Sequence, residues 1–148
     1  AVLFDVYGTL LISASGDIGT CALDGRGEAL AEALAAAAAP LRGPADAALA
    51  AFDQQIEREH REALARGVDF PEVDIVEVWE NALAVFAARG WIAAGAGVDP
   101  RTVAVEFEVR TNPIWPMPGL LAALEGLLRG GKTLGLVSNA QFYTPQTL

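Results

Sequence analysis

Phe4-Asp5-Val6-Tyr7-Gly8-Thr9-Leu10 is the stretch whose reading decides the fold. Ala1-Val2-Leu3 precedes it, so an apolar run of four residues stops at an acid and gives way to a Tyr-Gly-Thr turn. A short, continuous apolar run ended by turn residues reads as a strand buried on both faces, as in parallel sheets. One other stretch has the same form: Thr133-Leu134-Gly135-Leu136-Val137, stopped by Ser138-Asn139.

Between these two runs nearly everything reads as helix. Residues 29–39 are dominated by alanine, the best helix former, and stop at Pro40. A second helix is predicted from Pro44 to about Gly67, with Leu49, Phe52 and Ile56 on one stripe. A third runs from about Asp74 to Arg89, with Ile75, Val78, Trp79, Ala82 and Phe86 on its apolar face and Gly90 as its stop. Asp99-Pro100 caps a fourth that carries Val103 and Phe107 inward. Asn112-Pro113 breaks the pattern, Pro118-Gly119 opens a fifth helix over residues 120–129, and Gly130-Gly131 turns it into the second strand.

The last helix and second strand complete a crossover, which would set the two strands side by side in parallel. The fold class is therefore α/β, with a parallel sheet and a four-helix insertion. Ligands of open parallel sheets bind outside the carboxyl ends of the strands. Asp5 stands at that end of the first strand, and Ser138 and Asn139 at that end of the second. A carboxylate beside Gly8 and Thr9, facing a hydroxyl and an amide, suits nucleophilic attack with anchoring of an anionic substrate. The competing reading makes Asp5 a turn cap and Ser138-Asn139 a simple strand end.

The run Phe4-Asp5-Val6-Tyr7-Gly8-Thr9-Leu10 resembles the first motif of the haloacid dehalogenase-like (HAD) hydrolase superfamily, and Leu136-Val137-Ser138-Asn139 resembles its second. The helical insertion between them resembles that family's four-helix cap. The resemblance implies a Rossmannoid parallel sheet, with residues 1–11 and 113–148 as part of the core and 12–112 as cap with a flap segment. It also implies that Asp5 is the nucleophile of an aspartyl-ester mechanism, that Thr9 orients it or binds substrate, and that Ser138 and Asn139 hold the substrate anion. In metal-dependent members Mg²⁺ would be held by the Asp5 carboxylate and the Tyr7 backbone carbonyl, together with a later acidic motif.

One departure shifts the chemistry. Phosphatases of this family carry a second Asp two residues after the nucleophile, which protonates the leaving alcohol; that position here is Tyr7. Losing a positioned acid costs roughly 10²–10⁴-fold where the leaving group is an alkoxide. A halide leaves without a proton. Tyr at this position resembles the 2-haloacid dehalogenase branch, which uses no metal, although Ala140 stands where that branch commonly has Gly. The expected function is thus hydrolysis of a small anionic organic molecule, leaning to dehalogenase-like chemistry without a cofactor. An Mg²⁺-dependent small-molecule phosphatase and a non-catalytic binding or regulatory protein of the same fold are the alternatives.

Composition narrows the partners. The 148 residues hold 10 Lys+Arg against 19 Asp+Glu, a net charge of -9. Such an acidic balance disfavours non-specific nucleic-acid binding and attachment to an anionic membrane. Residues 12–112 hold 17 of the 19 acids and 8 of the 10 bases, so the helical stretch carries the whole net charge. With one cysteine, Cys21, and one histidine, His60, neither an internal disulfide nor a Cys/His zinc site can form. A cytoplasmic setting is expected, with no leader and no apolar run near the roughly 20 residues of a membrane span.

Weaker candidates lie in the insertion. Arg58 and Arg61, on the second helix, match in type the cap arginine that holds substrate carboxylate or halide in dehalogenases; pairing with Glu57 or Glu62 is the plainer reading. His60 is expected to be packed or partly buried on that helix, with a pocket-facing role as the alternative. Lys132, the one lysine, precedes the second strand and reads as a solvated loop residue. Residues 11–19 follow the first motif as a flap or hinge, and Trp79, Trp91 and Trp115 read as packing residues. The family's third and fourth motifs, a cation and an acidic pair, lie beyond Leu148 by their spacing. The expectation is therefore that these residues make a cap and a fraction of a core, inactive by themselves.

Overall fold

The two apolar runs pair side by side. In the computed structural model, which describes residues 1–14 and 25–147, the elements are β1 (Val2–Phe4), β2 (Leu11–Ser13), α1 (Arg26–Ala36), α2 (Ala45–Ala65), α3 (Ile75–Ala88), α4 (Pro100–Thr111), β3 (Ile114–Pro116), α5 (Leu120–Arg129), β4 (Leu134–Leu136) and α6 (Thr144–Thr147). The protein is thus mixed α/β with a small parallel sheet. β1 and β4 run parallel, with Val2 opposite Leu134, Leu3 opposite Gly135 and Phe4 opposite Leu136. The Val2 N–H donates to the Thr133 carbonyl at 2.8 Å, and the Val137 N–H to the Phe4 carbonyl at 2.9 Å. A Cβ at Gly135 would come within 2.8 Å of Leu3 Cδ2, so glycine gives the Leu3 side chain its place across the neighbouring strand.

The chain divides into two units: Ala1–Ala22 with Asn112–Leu148, and Leu23–Thr111. The first unit holds all four strands. Its sheet departs from the expectation of burial on both faces: Leu3 is 67% exposed, Leu136 56% and Val137 64%. The crossover helix α5 forms over the predicted residues, yet none of its side chains is buried and Leu121 is 74% exposed. Two strands and one helix have too little surface to cover one another.

An antiparallel ribbon was not anticipated. β2 pairs with β3, with Ile12 opposite Trp115, and the Ser13 hydroxyl donates to Asn112 Oδ1 at 2.6 Å. Each strand is three residues long and β3 ends in a proline, too short for a period-2 pattern to register. Leu11–Ser13 of the anticipated flap therefore form a strand, while residues 15–19 and Cys21 lie outside the described residues.

In the second unit four helices pack in a ring, α1 against α2 and α4, and α3 against α2 and α4. The core is aromatic. Phe52 and Trp79 ring centroids lie 4.2 Å apart, and Phe107 meets both edge-on at 5.5 and 5.4 Å. Leu30, Leu34, Val78, Phe86 and Val103 are fully enclosed around them. On α2 the buried face is Ala48, Ala51, Phe52 and Gln55; the expected flanks Leu49 and Ile56 are half-buried. Among the described residues no helix is long and apolar enough to cross a membrane.

Four helix ends share one closure. After α2, α3 and α5 the stopping residue is Gly67, Gly90 or Gly131, at φ 83°, 68° and 70°. The next residue's N–H reaches back to the last full turn: Val68 to Ala63, Trp91 to Phe86, Lys132 to Leu127. Trp91 also packs on Phe86, the apolar contact typical of this motif. After α1 the same bonds run from Ala38 to Ala35 and from Ala39 to Leu34, but the left-handed residue is Ala38 at φ 60°. The helix thus ends inside the alanine run, before Pro40. An L side chain in this region costs about 1 kcal/mol that glycine avoids.

Ala38→Gly is accordingly expected to stabilise the protein by about 0.5–1 kcal/mol, read from the urea midpoint. A second expectation concerns Asp99, which caps α4 by accepting from the N–H groups of Arg101 at 3.1 Å and Thr102 at 3.2 Å and from the Thr102 hydroxyl at 2.8 Å. The Thr102 hydroxyl above all, with the two backbone N–H groups and the Arg101 charge, holds the Asp99 carboxyl below its ordinary value; slight desolvation opposes them. A carboxyl depressed by folding stabilises the fold above its unfolded pKa and loses that effect as pH falls through the folded value. Asp99→Ala should lower the melting temperature by a few degrees at pH 7, with the difference from wild type shrinking below about pH 4.

Candidate functional site

At the end of β1 the chain turns sharply around one carbonyl. The Val6 carbonyl accepts from the N–H groups of Leu10 at 2.8 Å and Leu11 at 3.0 Å, and the Gly8 N–H donates to the Leu11 carbonyl at 2.8 Å. Gly8 takes φ 75°, open to glycine without strain. The Val6 side chain is 3% exposed and Leu11 7%, so the turn is anchored by what it buries. Asp5 and Thr9, on either side of that anchor, stay exposed. One Asp5 oxygen accepts the Val6 N–H at 2.7 Å, which satisfies a backbone donor at the strand end and restrains the carboxylate.

At the end of β4 the bond from Val137 to Phe4 is the last rung of the sheet. Ser138 and Asn139 follow it, both exposed. The Ser138 Oγ accepts the Ala140 N–H at 3.3 Å, which engages an oxygen lone pair and not the hydroxyl proton. Parallel neighbours lie about 4.8 Å apart. Because Phe4 stands opposite Leu136, Asp5 is carried next to Val137, and Ser138 is the residue after it. Register therefore brings Asp5, Ser138 and Asn139 to one end of one sheet. Tyr7 is half-buried, and its hydroxyl shares a 3.3 Å hydrogen bond with the Thr144 hydroxyl on α6.

The arrangement offers a carboxylate on one turn with a hydroxyl and an amide on the next. Such a set can attack an electrophilic carbon or phosphorus and hold the anionic part of the same molecule. For a magnesium ion it offers the Asp5 carboxylate and the Tyr7 carbonyl. Among the described residues no three or more His, Cys, Asp or Glu side chains are grouped so as to hold a metal. Two oxygens are a small share of an octahedral shell. They do not by themselves make a magnesium site.

Arg58 and Arg61 lie on α2, in the other unit. Arg58 pairs with Glu59 at 3.7 Å and Glu62 at 3.8 Å, and Arg61 with Glu57 at 3.4 Å. All three pairs lie within one helix. His60 differs from expectation: it is exposed, lining an open groove with Leu64, Asp69, Phe70, Pro71 and Glu72. The face of α2 that turns inward runs through Gln55 to Ala63, which leaves His60 off it. Lys132 is exposed at the start of β4, the end away from Asp5. Trp79 is buried in the helical core, Trp91 half-buried and Trp115 52% exposed.

One group escaped the sequence reading. Thr144, at the start of α6, meets Tyr7 from 137 residues away. No spacing or composition signal announces such a pair. Comparison with models of known protein families, with curated proteins and with solved structures returns no match.

The turn can be tested directly. A Cβ at Gly8 would meet nothing within 4 Å, so Gly8→Ala should cost only the left-handed backbone penalty of about 1 kcal/mol, read from denaturant unfolding. A loss several times larger would contradict the open space around Gly8.

Proposed function

We propose that the protein is a hydrolase of the haloacid dehalogenase-like type that displaces halide from a small 2-haloacid, with Asp5 as nucleophile. In this reading β1, α5 and β4 belong to a Rossmannoid parallel sheet, and the four packed helices are its inserted cap. The observation that carries the proposal is the parallel register, which supports a shared site for Asp5, Ser138 and Asn139 at the carboxyl ends of neighbouring strands.

The route balances without a proton donor at the leaving group. An Asp5 carboxylate oxygen attacks the carbon that bears the halogen; the C–O bond forms as the C–X bond breaks, and the electron pair leaves with the halide. Water then attacks the carboxyl carbon of the Asp5 ester. The Asp5 carboxylate is restored, the 2-hydroxyacid departs, and one proton passes to solvent. The Ser138 hydroxyl and the Asn139 amide are donors suited to the substrate carboxylate during both steps. Tyr7 supports this choice of leaving group. It stands where a phosphatase of this family would carry the acid for its alkoxide, and its hydroxyl is engaged with that of Thr144.

The test uses the protein at its full natural length, with 2-chloropropionate and a panel of phosphate monoesters, each with Mg²⁺ or EDTA. Chloride release that survives EDTA is expected. Asp5→Asn retains an oxygen that can accept the Val6 N–H, so the fold should hold while chloride release falls at least 10³-fold. Mg²⁺-dependent phosphate release would overturn the dehalogenase reading in favour of a phosphatase. Function unchanged by Asp5→Asn would instead identify a non-catalytic protein.

A further inference from the structure

The 3.3 Å bond between the Tyr7 and Thr144 hydroxyls ties the turn after β1 to the segment after β4. Its Thr144 end is firmly delivered. Thr144 is 5% exposed and Tyr143 6%, the Thr144 N–H donates to the Gln141 carbonyl at 3.1 Å, and the Phe142 and Tyr143 rings meet edge-on at 5.4 Å. The Tyr7 end is held less by its backbone. It lies next to Gly8 in a turn, its side chain is half-buried, and its ring has two rotatable bonds.

We infer that Thr144 is a positioning residue for the site, its hydroxyl fixing the Tyr7 ring in one rotamer between the Asp5 turn and the Ser138-Asn139 turn. The inference rests on the hydrolytic reading of Asp5 and deepens it. Held at its hydroxyl by Thr144, Tyr7 serves the site as a ring fixed in place. The tie also sets the spacing of the two turns. Small misplacements between a nucleophile and the groups that hold its substrate are costly in rate. Losing one neutral hydrogen bond that fixes such a group is expected to lower the rate about fivefold to tenfold.

A spectrum of the full-length protein labelled at tyrosine ¹³Cζ reads the Tyr7 ring, and Tyr7→Phe assigns its line by removing it. Thr144→Val keeps the shape and removes the hydroxyl; Thr144→Ser keeps the hydroxyl. The Tyr7 line should move in Thr144→Val and stay in Thr144→Ser. In parallel, kcat for chloride release from 2-chloropropionate should fall about fivefold to tenfold in Thr144→Val with KM changed less than about twofold, and Thr144→Ser should restore it. Thr144→Ser with wild-type activity and an unmoved line supports the proposal even if Thr144→Val fails to fold. A Tyr7 line unmoved by Thr144→Val, or a moved line with unchanged kcat, overturns the role of Thr144 in an active enzyme. Absence of chloride release from the wild type would defeat the hydrolytic reading itself, and the assigned role with it.

Discussion

The parallel pairing of β1 with β4 is the constraint on which the candidate site depends. Its two end bonds, from Val2 to Thr133 and from Val137 to Phe4, join chain segments more than 130 residues apart. Register then follows without further choice. With Phe4 opposite Leu136, the first polar residues past each strand, Asp5 and Ser138, emerge at the same end. A slip of one residue would reverse the face each side chain takes and would misalign the turns. Gly135 belongs to this constraint as well, because a side chain there would press on Leu3 and disturb the pairing.

Around that constraint the two units are stabilised by different means. The helical unit has an enclosed aromatic centre in Phe52, Trp79 and Phe107, with Arg26 lying 5.9 Å over the Phe107 ring and 3.1 Å from Asp53. One polar group intrudes: the buried Gln55 donates to the Ala51 carbonyl at 3.3 Å, while its Oε1 has no partner among the described residues. The strand-bearing unit instead relies on backbone bonds, turn anchors such as Val6, and the paired hydroxyls of Tyr7 and Thr144. Its apolar side chains at Leu3, Leu121, Leu136 and Val137 remain largely exposed.

Much of this architecture was legible in the residues. Short apolar runs stopped by Asp5 and by Ser138 announced the parallel strands, and the crossover between them fixed which ends would meet. Asp74, Asp99, Gly67 and Gly90 marked helix boundaries because capping and left-handed closure need those residue types. What stayed hidden has physical reasons. The ribbon of β2 and β3 is held by three-residue strands too short for any period. The close of α1 at Ala38 uses an alanine where glycine would have advertised it. His60 faces outward because the buried stripe of α2 runs one residue away from the one that Leu49 and Ile56 suggest. Thr144 could be seen only in three dimensions, since hydrogen bonds between distant hydroxyls leave no trace in spacing.

The chemical reading follows from what each turn presents. The proposed covalent attack draws on a carboxylate restrained by its neighbour's N–H, a serine whose oxygen caps its own turn, and a phenol tied to a threonine. All of it presumes that the two strands pair in parallel and in this register. The most direct measurement is the scalar coupling across the hydrogen bond between the Val137 amide nitrogen and the Phe4 carbonyl carbon, in uniformly labelled protein. The account predicts that coupling, together with slow exchange of the Val137 amide proton. A coupling from Val137 to any other carbonyl would contradict the register, and with it the meeting of Asp5 and Ser138.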